Sequence, residues 1–312
     1  MDRTGRAASQ AAAPNAQESV MIGIGVWGPG RVGTAIARSV AALGSNSGYR
    51  MVGVSPRDIG GRCPLARDLD VPTMTPAELV TTADLTVLAA PDDALAEAAT
   101  ALAAQVIASG HSAADRSVVH CSGALDLSVL ASVGALGAAI GAWHPLQAFP
   151  TTGSPVRPGI TWAVTASPEL AATLTELSLA LGGRPFTLAA SAKGAYHTAA
   201  SMAANYLVTL TWHATTLLES CGLTRDDALA ALLPLLESTV AGLAGAGLPQ
   251  GLTGPLARGD MATVESHLRV LAERPDTDAL YRAAAAATLP VLAARGVGAD
   301  QLARWQALLD GA

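Results

Sequence analysis

The run Met21-Ile-Gly-Ile-Gly-Val-Trp27 leads directly into Gly28-Pro-Gly-Arg-Val-Gly33, and helical composition follows over 35–43. A short apolar strand, a G-x-G-x-x-G turn and a helix in that order open a dinucleotide-binding βαβ unit. Gly28 allows the tight turn, Gly30 lets the backbone approach a pyrophosphate, and Gly33 lets the helix pack closely on the strand. The free N–H groups and positive dipole end of the helix favour phosphate there. Pro29, Arg31 and Val32 fill the rest of the loop, and the Arg31 guanidinium can reach a phosphate oxygen. A glycine-rich turn with no ligand would be written in the same letters, but the strand before it and the helix after it favour the ligand.

Further apolar runs lie at 51–54, 85–89, 117–120, 138–142 and 161–164, with a helix-like stretch over 92–107. Short buried strands alternating with helices predict a doubly wound parallel sheet. From about residue 191 the strand runs stop. Ala/Leu-rich helices are expected over 191–220, 225–241, 260–273, 276–294 and 299–309, separated by breakers at 242–255, Pro275 and 296–298. The expected organisation is an α/β N-terminal Rossmann-type domain over 20–190 and an all-helical domain over 191–312. Residues 1–19 read as a disordered tail without the long apolar core of a secretory signal. With 312 residues, 50% of them apolar and only 14% charged, the chain can bury the cores of two domains.

Several function classes are disfavoured. A net charge of −6 and 4% aromatics do not suit a nucleic-acid partner. Cys63, Cys121 and Cys221 are far apart and the six histidines are scattered, so no metal site is expected, and reduced cytoplasmic thiols are. Mean hydropathy is +0.36, yet no 18-residue run is free of charge, proline or glycine clusters, so no membrane span is expected.

The second strand ends in Val54-Ser55-Pro56-Arg57. An NAD site would place an acid here for the ribose 2′-hydroxyl; a hydroxyl and a guanidinium suit the 2′-phosphate of NADP better, with Asp58 as the NAD alternative. At the end of the run over 85–89, Ala90 and Pro91 are small enough to let a cofactor cross the strand ends, and Asp92 is expected to cap the next helix.

Four places offer reaction chemistry. In His120-Cys-Ser-Gly123, Ser122 and Gly123 could meet cofactor or substrate, or Ser122 could merely cap a turn. His144, held extended before Pro145, could carry a proton or be a structural histidine. Lys193 is the chain's single lysine beside eighteen arginines, the one place where a cation able to lose its proton was kept. His197, Ser201 and Asn205 follow it at four-residue steps and form a slanted polar row on one helix. In Thr253-Gly-Pro-Leu-Ala-Arg-Gly-Asp260, Arg258 could hold a carboxylate and Asp260 reads as a helix N-cap.

Taken in order, the glycine loop, His120-Cys-Ser-Gly, His144-Pro-Leu-Gln-Ala-Phe, Lys193-x-x-Tyr-His, Asn205-Tyr-Leu-Val and Thr253-Gly-Pro-x-Ala-Arg-Gly-Asp resemble the Rossmann-like proteins with a DUF2520 C-terminal domain, over 21–309. That family is similar in architecture to 6-phosphogluconate dehydrogenase-like enzymes, ketopantoate reductase and pyrroline-5-carboxylate reductase among them. The resemblance implies an all-α 6-phosphogluconate dehydrogenase C-terminal-like second domain, a homodimer formed through it, and an NADPH-dependent oxidoreductase. The implied substrate is a small 2-keto acid, ketopantoate (to pantoate) first. An imine reductase of the pyrroline-5-carboxylate type and a non-catalytic NADP-binding regulatory protein are the alternatives. In the wider superfamily a lysine opens the first long helix of the second domain as proton donor, with an asparagine one turn later. Lys193 matches the lysine, but His197 stands one turn later and Asn205 three turns on, so the part of Asn205 differs from the pattern. Prephenate dehydrogenases carry a pair similar to His144-Pro145, which keeps His144 as an alternative acid or base.

Overall fold

The computed structural model describes residues 21–56 and 63–311; the tail expected at 1–19 and the Arg57 and Asp58 expectations lie outside them. Seven strands form one sheet: β1 (Ile22–Trp27), β2 (Tyr49–Ser55), β3 (Leu85–Leu88), β4 (Ser117–His120), β5 (Ala139–Pro145), β6 (Thr161–Ala166) and β7 (Arg184–Thr187). Their order is β2-β1-β3-β4-β5-β6-β7. β1 to β5 are mutually parallel, as the alternation of strand and helix requires. β6 departs from the expected parallel order and runs antiparallel to β5. The reason is the connection: 146–160 holds no crossover helix, so the chain turns back beside β5. β7, which the apolar-run criterion missed because Arg184-Pro-Phe-Thr is mostly exposed, lies parallel to β6.

Helices α1 (Arg31–Ala42), α2 (Pro64–Asp68), α3 (Pro76–Thr82), α4 (Asp92–Ser109), α5 (Ala131–Gly134) and α6 (Pro168–Ala180) complete this region. Alternation along the strands divides the core into two layers. Val87 and Val119 point to the layer that contains Ile36 and Val40 of α1 and Leu174 of α6. Their neighbours Leu88 and Val118 point to the layer of Leu95 and Leu102 of α4 and Val133 of α5. On β5 and β6, Trp143 and Trp162 stack in the first layer at 4.1 Å between ring centroids. Trp143 Nε1 donates to Ser178 Oγ at 2.8 Å. With Trp143 fixed inward, the pleat turns His144 to the opposite face.

The described residues fall into two compact units, divided between Met202 and Ala203. α7 (Lys193–Glu219) starts in the first and ends in the second. The second unit continues with α8 (Arg225–Ala246), α9 (Pro255–Arg258), α10 (Met261–Leu271), α11 (Pro275–Ala294) and α12 (Ala299–Asp310). α8 passes straight through Gly242, where the composition predicted a break. Val264, Ala285, Leu292, Trp305 and Leu309 are the buried centre of α10 to α12. α8 has a different character: only Ala228 is buried, while Leu233, Leu235 and Val240 are exposed. By length and composition it is apolar enough to cross a membrane, with a mean hydropathy of 1.6. It nevertheless carries Asp226, Asp227, Glu237 and an internal Pro234.

Candidate active site

β1 has β2 on one side and β3 on the other, so the chain reverses its winding direction between the carboxyl ends of β1 and β3. Open α/β sheets bind ligands at such a switch point. A cleft of about 460 Å³ opens there. Trp27 to Gly30 line one wall, Leu88 to Pro91 another, and Ala94 and Ala98 of α4 the floor. The glycines divide the work. Gly28 has φ +89° and backs onto the Ala89 carbonyl, 2.8 Å from where a Cβ would sit. A Cβ on Gly33 would collide with the Gly28 carbonyl oxygen and come within 3.1 Å of Ala89 and Val26. A Cβ on Gly30 would meet no protein atom within 4 Å. Gly28 and Gly33 are therefore demanded by packing, whereas the space above Gly30 is free for a ligand. At the end of β2, Ser55 is fully buried and its Oγ has no hydrogen-bond partner among the described residues. An orphaned hydroxyl at that strand end and an open glycine cradle fit a dinucleotide with its pyrophosphate over Gly30.

Asp92 is the first residue of α4; the cap position belongs to Pro91, which makes no side-chain cap bond. The expected capping role is thus replaced by a carboxylate in the first turn, which the helix dipole favours. Its charge also reaches the basic groups beside the cleft, because Asp92 opposes the downward shifts of Lys193, His120 and His144.

Lys193, only 2% exposed, opens α7 directly after a turn of 3₁₀ helix over Ala190–Ala192. Its Nζ donates to the Ser122 carbonyl at 3.2 Å, the one hydrogen bond it makes among the described residues. Burial lowers its pKa below the ordinary lysine value, and the carboxylates of Asp92 and Asp126 partly oppose that shift. Next to it, Tyr196 Oη lies 2.7 Å from His144 Nδ1, and the two rings meet edge to face. Burial, then the Lys193 charge, brings His144 down to about 4, and burial raises Tyr196 to about 12. Both are therefore neutral near pH 7. Gly123 lies under the His144 ring: a Cβ there would stand 3.0 Å from Nε2. Ser122 Oγ accepts the amides of Ala124 at 3.2 Å and Leu125 at 3.0 Å, which leaves its own proton free to donate. The turn reading of Ser122 and its place beside Lys193 hold together.

Beyond Lys193 the polar row opens to solvent: His197 and Asn205 are exposed and Ser201 is half-buried. Asn205 and Arg258 belong to the second unit. Arg258 is exposed, and Asp260 caps α10 by accepting from the Thr263 amide at 3.1 Å. Sequence reasoning gave no role to Tyr196 or His120. The signal for Tyr196 was its spacing of three from Lys193, which places both on one flank of a helix. For His120 it was a histidine closing an otherwise apolar strand. Among the described residues no three His, Cys, Asp or Glu side chains gather as a metal site would need.

Residues 9–145 match the family described as a Rossmann-like domain, and residues 160–288 match the domain of unknown function DUF2520. The chain thus carries a Rossmann-like domain followed by a DUF2520 domain. No curated protein matches it significantly. Solved structures share the fold. A Bacteroides fragilis protein provisionally named an NADP oxidoreductase is 25% identical, with TM-score 0.65 over 85% of this chain and 96% of that one. Plasmodium falciparum pyrroline carboxylate reductase with NADP bound is 12% identical, with TM-score 0.57 over 92% and 98%. The Aspergillus terreus reductive aminase in complex with NADPH and ethyl-5-oxohexanoate is 17% identical, with TM-score 0.53 over 93% of each chain.

Proposed function

We propose that the protein is an NADPH-dependent oxidoreductase that reduces a small 2-keto acid, with ketopantoate the first substrate to test. The observation that carries this reading is a single buried lysine held by the Ser122 carbonyl just past the end of β4, the strand next to β3 in the sheet whose switch point carries the glycine-loop cleft. Support for NADP over NAD comes from the partnerless Ser55 hydroxyl at the end of β2, where an NAD site would carry an acid, and from the name of the 25% identical Bacteroides protein. Gly30, Ala90 and Pro91 would hold the cofactor, with Pro29, Arg31 and Val32 in its phosphate loop.

A bound reduced nicotinamide supplies the hydride. The chain's residues supply the proton and the orientation. Lys193 is tethered at one N–H by Ser122, so its remaining N–H bonds are available to a carbonyl oxygen. Burial lowers its pKa, which makes it a better acid than a surface lysine. His144 and Tyr196, both neutral, orient the substrate by hydrogen bonds without competing for that proton. His197 and Ser201 continue the same face of α7. A purely regulatory NADP-binding protein has no use for a buried proton donor.

The test is oxidation of NADPH, followed by absorbance, over a panel of 2-keto acids and cyclic imino acids. Turnover of ketopantoate is expected. Turnover of imines alone, undiminished in Lys193→Ala, would move the substrate class to imines, which arrive already protonated.

The homodimer belongs to the same proposal. Val208 and Trp212 of α7 and Leu233 and Leu235 of α8 are exposed apolar side chains in the second unit, and a second copy of the chain is the occupant we assign to them. Light scattering is expected to give twice the chain mass of 31.3 kDa.

A further inference from the structure

His120 is fully buried at the end of β4, and both ring nitrogens are used. Nδ1 accepts the Ser122 amide at 3.1 Å. Nε2 lies 3.2 Å from the Asp126 carbonyl. The first bond requires a bare Nδ1, so Nε2 carries the proton and donates it. The ring thus ties together the two ends of the turn 121–126. That turn presents the Ser122 carbonyl to Lys193 Nζ, and its Ser122 hydroxyl braces the amides of Ala124 and Leu125.

We infer that His120 is a positioning residue for Lys193: by holding the Ser122 amide it aims the Ser122 carbonyl at the ammonium, and so fixes where the other two N–H bonds of Lys193 point. The inference rests on the reductase reading only for its effect on turnover; the geometric claim stands apart from it. The groups that face Lys193 are Asp92 of α4, Asp126 of the turn, His120 of β4 and His144 of β5. His120 acts among them as a neutral brace rather than as a charge, because burial and the Lys193 charge hold it at about 4. With the carbonyl free to turn away, the ammonium would stay buried at the start of α7 but lose the hydrogen bond that favours its charged form.

The chain's one lysine makes a direct test possible. Full-length protein grown with ε-13C-lysine gives a single lysine resonance, whose pH titration reads Lys193 with or without turnover. Three variants separate the two ring contacts. His120→Asn keeps an acceptor at the Nδ1 position, His120→Gln keeps a donor at the Nε2 position, and His120→Leu keeps neither. In His120→Gln and His120→Leu the midpoint is expected to fall by about half a pH unit. The high-pH limb of kcat should move with it, and kcat should drop about tenfold while the KM for NADPH holds. His120→Asn should restore both. Should His120→Leu fail to fold, the contrast of Asn with Gln carries the decision. An unshifted resonance in folded His120→Gln, or rescue by Gln in place of Asn, overturns the inference. A shifted resonance in a protein that reduces no carbonyl substrate would leave the brace standing and remove the reductase reading.

Discussion

Gly30→Ala and Gly33→Ala look alike on paper and should behave oppositely. At Gly33 the added Cβ strikes the Gly28 carbonyl and crowds Ala89 and Val26 at 3.1 Å, all of them backbone or packed core. Nothing there can yield without moving α1 off the sheet, so the overpacking cost is about 1–3 kcal/mol. For a protein of this size that is a loss of roughly 2–4 °C in Tm per kcal/mol, with or without cofactor. At Gly30 the Cβ enters open space and φ is −76°, which alanine adopts freely. The unliganded Tm should therefore stay within the effect of about 0.5 kcal/mol typical of harmless surface changes. The same methyl would enter the open space proposed for the pyrophosphate, so the Kd for NADPH should rise at least about tenfold, or ~1.4 kcal/mol. At a concentration of ~100 times the wild-type Kd, NADPH adds about 2.7 kcal/mol of stability, and a tenfold weaker site roughly halves that. Thermal melts of both variants, with and without NADPH, read both quantities. A Gly30→Ala protein whose melt rises with NADPH as much as the wild type would refute the placement of the phosphates.

Other outcomes follow from the same geometry. Ser178→Ala leaves the buried Trp143 Nε1 without its acceptor and should cost about 1–3 kcal/mol, read as a lower urea midpoint. His120 is held near 4 in the fold against 6.5 for the free side chain. The unfolded chain therefore binds the extra proton first, and the contribution is whole above pH 6.5 and lost as pH falls towards 4. The loss reaches roughly 3 kcal/mol, seen as a fall in urea midpoint with acid that is shallower in His120→Asn. Tyr196→Phe removes the 2.7 Å partner of His144 and should lower kcat about tenfold with little change in NADPH affinity, measured by steady-state kinetics and cofactor titration.

The glycine loop, strands β1 to β6 and the long helices were legible because each rests on local periodicity or on residues that have no substitute, such as Gly33. β7 was not, since Arg184 and Thr187 alternate too weakly to mark a strand; its place depends on β6 already being there. The reversal of β6 was hidden for the related reason that strand direction is set by the connection over 146–160 and not by the strand's own residues. Lys193 stood out by its rarity. Its partner did not, because the contact is to the carbonyl of Ser122 and a backbone acceptor leaves no mark in sequence. Tyr196 and His120 were in plain view within quoted motifs, yet only the fold brings His144, 52 positions earlier, against Tyr196.

The most direct measurement compares wild type with Lys193→Met, an uncharged side chain of similar length, for NADPH affinity and for ketopantoate-dependent NADPH oxidation in one experiment. Kd values within about threefold of each other are expected, together with a fall in kcat of about 10²–10⁴. Equal turnover by the two proteins would contradict Lys193 as the proton donor, and failure of the wild type to bind either nicotinamide coenzyme would contradict the oxidoreductase reading itself.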